Sequence, residues 1–204
     1  MTSDSTHPQP IHLEPFNQST PPPSGRLIVF TGPSGVGKGT LLRTLMFNHP
    51  ELHLSVSATT RQPRPDEVDG KHYHFVSKAH FEQMIRKKEL LEWAEFAGHF
   101  YGTPRLPIEQ HIHDGHSIIL EIELHEARQI HRNFPDALRI FILPPTFEEL
   151  ESRIRMRNQD SEAAIIRRLE QAQMEIAAAP EFDVQLVNDD LNTTVQTLEA
   201  IIFK

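Results

Sequence analysis

The sequence predicts a three-layered α/β fold built on a parallel sheet. Short, continuous apolar segments recur along the chain, helical patterns separate them, and the first apolar segment runs directly into a glycine-rich turn that opens a helix. Apolar runs of this kind suit strands buried on both faces, and their alternation with helices implies parallel pairing through right-handed crossovers. A length of 204 residues allows one substantial core with small inserted lobes.

Taken in order, residues 1–24 are rich in Pro, Ser and Thr and lack both a basic start and an apolar signal core. They read as a disordered tail ahead of a domain spanning 25–204. RLIVF (26–30) is the first expected strand, 38–48 the first helix and LHLSVS (52–57) the second strand. An insertion follows over about 56–106. In it TTRQPRPDEVDGKHYHF carries turn residues around Gly70 and a strand-like HYHFV, then come a helix at 78–88, LLEWAEF as a strand and AGHFYG as a turn. That is enough for a small mixed lobe.

The alternation resumes with a helix at 105–114, the strand SIILEIEL (117–124), a helix at 125–133 and the strand LRIFIL (138–143). Helices at 146–157 and 161–178 hold a second charged insertion, RIRMRNQDSEAAIIRRL (153–169), where Arg153, Arg155, Arg157, Arg167 and Arg168 crowd a helix–turn–helix. Ser161 followed by Glu162 marks a helix start, with Asp160 an alternative cap. DVQLVN (183–188) and a helix at 191–203 complete the pattern.

Composition narrows the function. Lys+Arg 20 against Asp+Glu 28 gives a formal charge of −8, so nothing suggests general affinity for nucleic acid or an anionic membrane, and any anion must be bound locally. No cysteine is present, which excludes disulfides, thiolate catalysis and zinc–thiolate sites. No run approaches membrane-spanning length. The thirteen histidines are densest at HYH (72–74) and HIHDGH (111–116). Neither group has the i, i+4 helical spacing that sets two ligands on one face, so no protein metal site is expected.

The stretch FTGPSGVGKGT (30–40) carries the chemistry. Gly32, Pro33, Ser34, Gly35, Val36, Gly37 and Lys38 match G-x-x-x-x-G-K between a strand and a helix. Glycines there let backbone N–H groups curl around phosphate oxygens, the helix start adds its positive dipole end, and the lysine reaches the β- and γ-phosphates. Gly39 stands where a hydroxyl residue usually serves Mg²⁺, and Thr40 is turned about 100° from it around the helix. GKGT resembles the spelling of adenylate kinases, which suggests a small-nucleotide kinase whose Mg²⁺ is held mainly by phosphates and water. In TTRQPR, Arg61 and Arg64 lie three residues apart beside a flexible turn, suited to gripping a second phosphate.

With TGPSGVGKGTLL, SVSATTRQPRPDEVDGKHYHFVS, EWAEFAGHFYGT, FILPP with RIRMRNQDSE, and VNDDL, the chain resembles the guanylate kinases from about residue 26 to 203. The resemblance implies a P-loop kinase with a five-stranded parallel core sheet, a GMP-binding α+β lobe (about 56–106) and a helical lid (about 146–168). It implies a cytoplasmic enzyme of purine metabolism that takes ATP, Mg²⁺ and GMP, with dGMP as a further acceptor, and is a monomer or homodimer. By it Arg61, Arg64, Tyr73 and Tyr101 hold the GMP phosphate, while Ser57, Glu92 and Thr103 read the guanine. A carboxylate at Glu92 accepts from N1 and N2 of guanine, which adenine cannot match. Lys38, Arg153, Arg157 and Arg168 would surround the transferring phosphoryl group, and Asn188 would lie near the adenine or ribose of ATP.

LEIELHEA departs from the family's Asp pair followed by Gln-Gly. Glu121 stands for the Asp expected to orient magnesium-bound water and Glu123 for one near the guanine edge, each reaching one methylene further. Glu126 replaces a glycine and so excludes positive φ at that point, and Asn158 replaces a lid glycine. Two alternatives share the architecture: a kinase of another phosphorylated substrate, disfavoured by Ser57, Glu92 and Thr103, and a phosphopeptide-binding module, disfavoured by Lys38 and the lid arginines.

Overall fold

The computed structural model describes residues 25–156 and 161–203. Five strands form a wholly parallel sheet in the order β2-β7-β1-β8-β9, with β1 Leu27–Thr31, β2 His53–Leu54, β7 Ile118–Glu121, β8 Leu138–Leu143 and β9 Val184–Val187. The central strand explains the arrangement. Alternate residues of β1 face opposite layers, and every one of its side chains is buried. Ile28 and Phe30 join a cluster with Leu41, Leu45, Leu150, Ile165, Val195 and Leu198, whereas Leu27 and Val29 join Ile108, Ala127, Ile130 and Phe141. This is the double burial that a continuous apolar strand requires.

Helices α1 Lys38–Asn48, α5 Phe147–Met156, α6 Glu162–Ala177 and α7 Leu191–Ile202 contribute to the first cluster. Helices α3 Arg105–His113 and α4 Leu124–Asn133 contribute to the second. Ser161 accepts from the Ala164 amide and caps α6, as its sequence context predicts. Among the described residues no helix is long and apolar enough to cross a membrane. Residues 1–24, with the expected tail, and Arg157, Asn158 and Asp160 of the expected lid lie outside the described residues.

A second sheet, ordered β4-β3-β6-β5, stands between α1 and α3 in the chain. It comprises β3 Ala58–Thr59, β4 His74–Phe75, β5 Leu90–Phe96 and β6 His99–Pro104, and α2 Lys78–Arg86 packs Phe81 and Met84 against Ala58 and Leu90.

Two expectations are corrected here. The run 52–57 is not one strand: His53 and Leu54 pair with β7, and the chain then crosses to β3 of the second sheet. The crossing is made at polar residues, with the Ser55 amide still donating to Ile119 O at 2.9 Å and Ser57 O already accepting from the His74 amide at 2.9 Å. Nor is AGHFYG a turn throughout. Only Ala97 (φ 51°) and Gly98 (φ 78°) turn, as a two-residue hairpin with both φ positive demands, and His99 onward is strand.

Candidate active site

The phosphate loop, residues 32–38, leaves the carboxyl end of β1 and enters α1. Gly37 caps the helix at φ 101°, and a Cβ there would sit 2.6 Å from Asn188 Nδ2. Only glycine meets both demands. The buried Asn188 donates that same amide to Val36 O at 2.7 Å, so it braces the loop from the end of β9. Lys38 folds back over the loop, its Nζ donating to Gly32 O and, at 3.4 Å, to Pro33 O. Two arginines of α5 and α6 reach the same turn: Arg153 Nη1 donates to Val36 O at 3.4 Å and Arg168 Nη2 to Ser34 Oγ at 2.9 Å.

Pro33, Ser34, Gly35, Gly37, Lys38, Gly39, Thr40 and Arg43 line a cavity whose far wall is Glu121 and Glu123. The same two glutamates line a second cavity together with Ser57, Tyr73, Glu92, Tyr101 and Glu126. A cationic, glycine-rich chamber and an acidic, aromatic one thus adjoin across the end of β7.

Glu92 is the best-placed group of the second chamber. It is 3% exposed, and Thr103 donates its hydroxyl to Glu92 Oε1 at 2.6 Å. Ser57 Oγ lies 3.4 Å from Thr103 Oγ1 and completes a chain of three polar side chains. Gly102 permits this fit, since a Cβ there would meet Glu92 O at 2.7 Å. Burial pushes the Glu92 carboxyl up to about 7, against the Thr103 hydrogen bond and with the charge of Glu126 adding to the rise. Burial also raises Glu126, with the neighbouring Glu123 adding to the rise. Glu121 meets solvent, yet protein crowding around the cleft raises its carboxyl too, opposed first by Lys38.

In the same chamber Tyr73 and Tyr101 meet edge to face, their ring centroids 6.1 Å apart. Arg61 lies 5.2 Å from the Tyr73 ring centroid, a cation–π placement. Its guanidinium is held by Glu67 through two hydrogen bonds of 2.7 and 2.9 Å, and Glu67 also accepts from the Arg64 amide at 2.7 Å. The Arg61 guanidinium and the Arg64 amide hold the Glu67 carboxyl far down, at about 2. The Arg64 side chain is exposed.

The structure therefore gathers Ser57, Glu92 and Thr103 in one place and Arg61, Tyr73 and Tyr101 in another. Arg61 and Arg64 stand outside the residues that line the cavity. Arg157 lies outside the described residues. Glu123 is the N-cap of α4 and Glu126 stands in its first turn, so the missing glycine costs nothing in backbone conformation: the position is helical. Glu67 is the residue that sequence reasoning passed over. Its signal is slight, one carboxylate of an Asp66-Glu67 pair in a charged turn. Of the histidines, His53 and His111 pack with ring centroids 4.7 Å apart beside His116, and among the described residues no three His, Asp or Glu side chains converge as metal ligands.

The description of protein families that matches residues 24–204 is guanylate kinase. The chain belongs to the guanylate kinase family. A guanylate kinase of Thermosynechococcus vestitus is 64% identical over 188 residues, covering 92% of this chain and 98% of that relative. One from Synechococcus sp. (strain JA-3-3Ab) is 52% identical over 203 residues, 99% of this chain and 94% of the relative. The crystal structure of guanylate kinase from Anaplasma phagocytophilum superposes with a TM-score of 0.69 at 31% identity, covering 88% of this chain and 85% of that one. As a guanylate kinase, the chain is an ATP-dependent phosphotransferase with the α/β fold its strand pattern predicts.

Proposed function

We propose that the chain transfers the γ-phosphoryl group of ATP to GMP, giving ADP and GDP, and that it accepts dGMP as well. The observation that carries this reading is the pair of adjoining cavities that share Glu121 and Glu123 as a common wall. A donor in the glycine-rich chamber and an acceptor in the acidic one would meet there.

On the acceptor side Glu92, ordered by Thr103 and Ser57, accepts from N1 and N2 of guanine, with Glu123 at the base edge. Arg61, Arg64, Tyr73 and Tyr101 hold the GMP phosphate, the arginines by charge and the phenols by hydrogen bonds. On the donor side the loop from Gly32 to Gly37 cradles the ATP phosphates. Lys38 turns from its own loop carbonyls to the β- and γ-oxygens, and Asn188 keeps the loop in shape. Arg153, Arg157 and Arg168 surround the phosphoryl group in flight. An oxygen of the GMP phosphate bonds to the γ-phosphorus as the bond to the β–γ bridging oxygen breaks, and that oxygen leaves with ADP.

No general base is required, because a phosphate monoester with second pKa about 6 is already largely dianionic near neutral pH. Catalysis is then positioning and charge stabilisation. Hard oxygen donors suit Mg²⁺, and the donor chamber offers the Thr40 hydroxyl and the Glu121 and Glu123 carboxylates. Bound with ATP, the ion would neutralise charge on the β- and γ-phosphates, Glu121 orienting its water. The chemistry suits the cytoplasm, where ATP and GMP are both present.

The test is ADP formation from Mg²⁺-ATP with GMP, dGMP, AMP, UMP and CMP at matched concentrations. Turnover with the two guanine nucleotides alone is the expected result. Equal turnover with AMP would overturn the Glu92 assignment, and no turnover with any acceptor would overturn the activity.

A further inference from the structure

Strand β5 is the outer strand of its sheet, so one row of its backbone groups has no strand beside it. It is also bulged. Leu90 pairs with Pro104 and Trp93 with Gly102, three steps along β5 against two along β6, and the extra residue falls beside Glu92. A bulge of this kind re-aims a side chain and leaves ladder positions unfilled, and an open edge is otherwise a liability.

Helix α4 fills both needs. Gln129 Nε2 donates to Trp93 O at 2.8 Å while its Oε1 accepts from the Trp93 amide at 3.3 Å, so one side-chain amide meets a residue as a neighbouring strand would. One turn on, Asn133 Nδ2 donates to Leu91 O at 2.9 Å. The i, i+4 spacing places both amides on one face of α4. They grip the backbone on each side of Glu92 and leave Glu92 itself pointing into the cavity. The start of the same helix carries Glu123, at its N-cap, and Glu126, in its first turn, and both line that cavity with Glu92.

We propose that Gln129 and Asn133 are positioning residues for guanine recognition: their amides fix the bulged edge strand to the core helix that carries Glu123 and Glu126, and so set the distance and direction of Glu92 across the pocket. The proposal rests on the guanylate kinase reading above. Neither residue is among those that line the cavity. Each acts by holding a main chain whose free movement would let the carboxylate tilt away from the base edge, and small misplacements of this kind cost large factors.

The experiment compares the native chain with Gln129→Met and with Gln129→Met/Asn133→Leu, which keep volume and remove the amides. Steady-state kinetics are measured with GMP and with inosine monophosphate, whose base lacks the 2-amino group, and with ATP varied separately. The double variant is expected to raise KM for GMP about tenfold and to reduce the preference for GMP over inosine monophosphate by a similar factor, as lost alignment of the Glu92 carboxylate with the base edge implies. KM for ATP should stay as it is, and hydrogen exchange at the Trp93 amide should quicken. A lowered melting temperature with unchanged base preference would overturn the proposal, since that is what a merely structural tie predicts. If the double variant does not fold, the single Gln129→Met variant decides by the same readouts. Absence of GMP turnover in the native chain would sink the functional reading, and this inference with it, whereas native turnover with unaltered variants sinks the inference alone.

Discussion

Thr103 donates its hydroxyl to Glu92 across 2.6 Å, inside a pocket whose other carboxylates are Glu121, Glu123 and Glu126. A carboxyl held at about 7 by burial is half protonated near neutral pH in the empty site, whereas guanine presents two donors and is bound by the ionised form.

Affinity for GMP should therefore rise as pH climbs through about 7 and level off above it. Fold stability should run the other way. With its folded pKa above the ordinary carboxylate value, Glu92 contributes stability fully below about 4.5 and loses it as pH rises to about 7. The phosphate of GMP titrates near 6 and would add its own limb, so Thr103→Val separates the two. Losing the hydroxyl removes a group that lowers Glu92, so the upper limb should move to higher pH while the lower one stays. KM for GMP measured from pH 5.5 to 8.5, about the range spanning both groups, checks this, and a single unmoved limb in the variant would contradict it.

Arg61 is already paired before any phosphate arrives, and its partner Glu67 remains ionised at every working pH, its carboxyl held near 2. Two of the arginine's five donors point at Glu67 and another at Gln62 O, which fixes the plane of the guanidinium. Glu67→Gln keeps the shape but offers a single acceptor. KM for GMP should rise roughly threefold to tenfold with KM for ATP unchanged, while the melting temperature stays nearly as it is, because a single ion pair close to solvent contributes little to stability. A fall in KM would mean that Glu67 competes with the phosphate instead of orienting the arginine.

Most of the core was legible because its signals are local and redundant. A run such as RLIVF is buried on both faces wherever it lies, and a glycine-rich turn between strand and helix has few other uses. The helix 38–48 lies where the sequence places it although no side chain caps its start: Gly37 opens it at φ 101°, and Leu41, Leu42 and Leu45 are buried. The second lobe was read less well. LHLSVS is apolar at alternate positions, a pattern equally compatible with one strand or with two half-strands in different sheets, and only the long-range partners Ile119 and His74 decide. Site residues with unusual chemistry, Lys38, Arg61 and Glu92, stand out by type and motif. Glu67, Gln129 and Asn133 do not, since each looks like an ordinary polar residue on a turn or helix until the group it holds is known.

Gly39 lies at the start of α1, and a Cβ built on it meets nothing within 4 Å. The hydroxyl usual at this position can therefore be restored without steric cost. Gly39→Ser should lower the Mg²⁺ concentration needed for half-maximal activity and stabilise the fold by about 0.5 kcal/mol, the helix preference of serine over glycine. Titration of activity with Mg²⁺ at fixed ATP, beside a thermal melt, tests both. An unchanged Mg²⁺ requirement together with a raised melting temperature would show that phosphates and water hold the ion by themselves.

Glu126 is the departure with the most direct electrostatic consequence, because its carboxylate lines the acceptor cavity and adds to the rise of Glu92. Neutralising it should let Glu92 ionise at lower pH and weaken repulsion toward an anionic nucleotide. Glu126→Gln is therefore expected to move the upper limb of the GMP pH profile downward and, near pH 6.5, to lower KM for GMP by about twofold to fivefold, the change that partial relief of one like charge at effective ε of about 20 allows. Being helical, the position should tolerate the change with little loss of stability. The decisive comparison is Glu126→Gln against Thr103→Val in one pH series: the first should shift the limb down and the second up. Shifts in the same direction would mean that Glu92 is not the group being titrated, and would remove the basis for reading the pocket as a guanine site gated by that carboxylate.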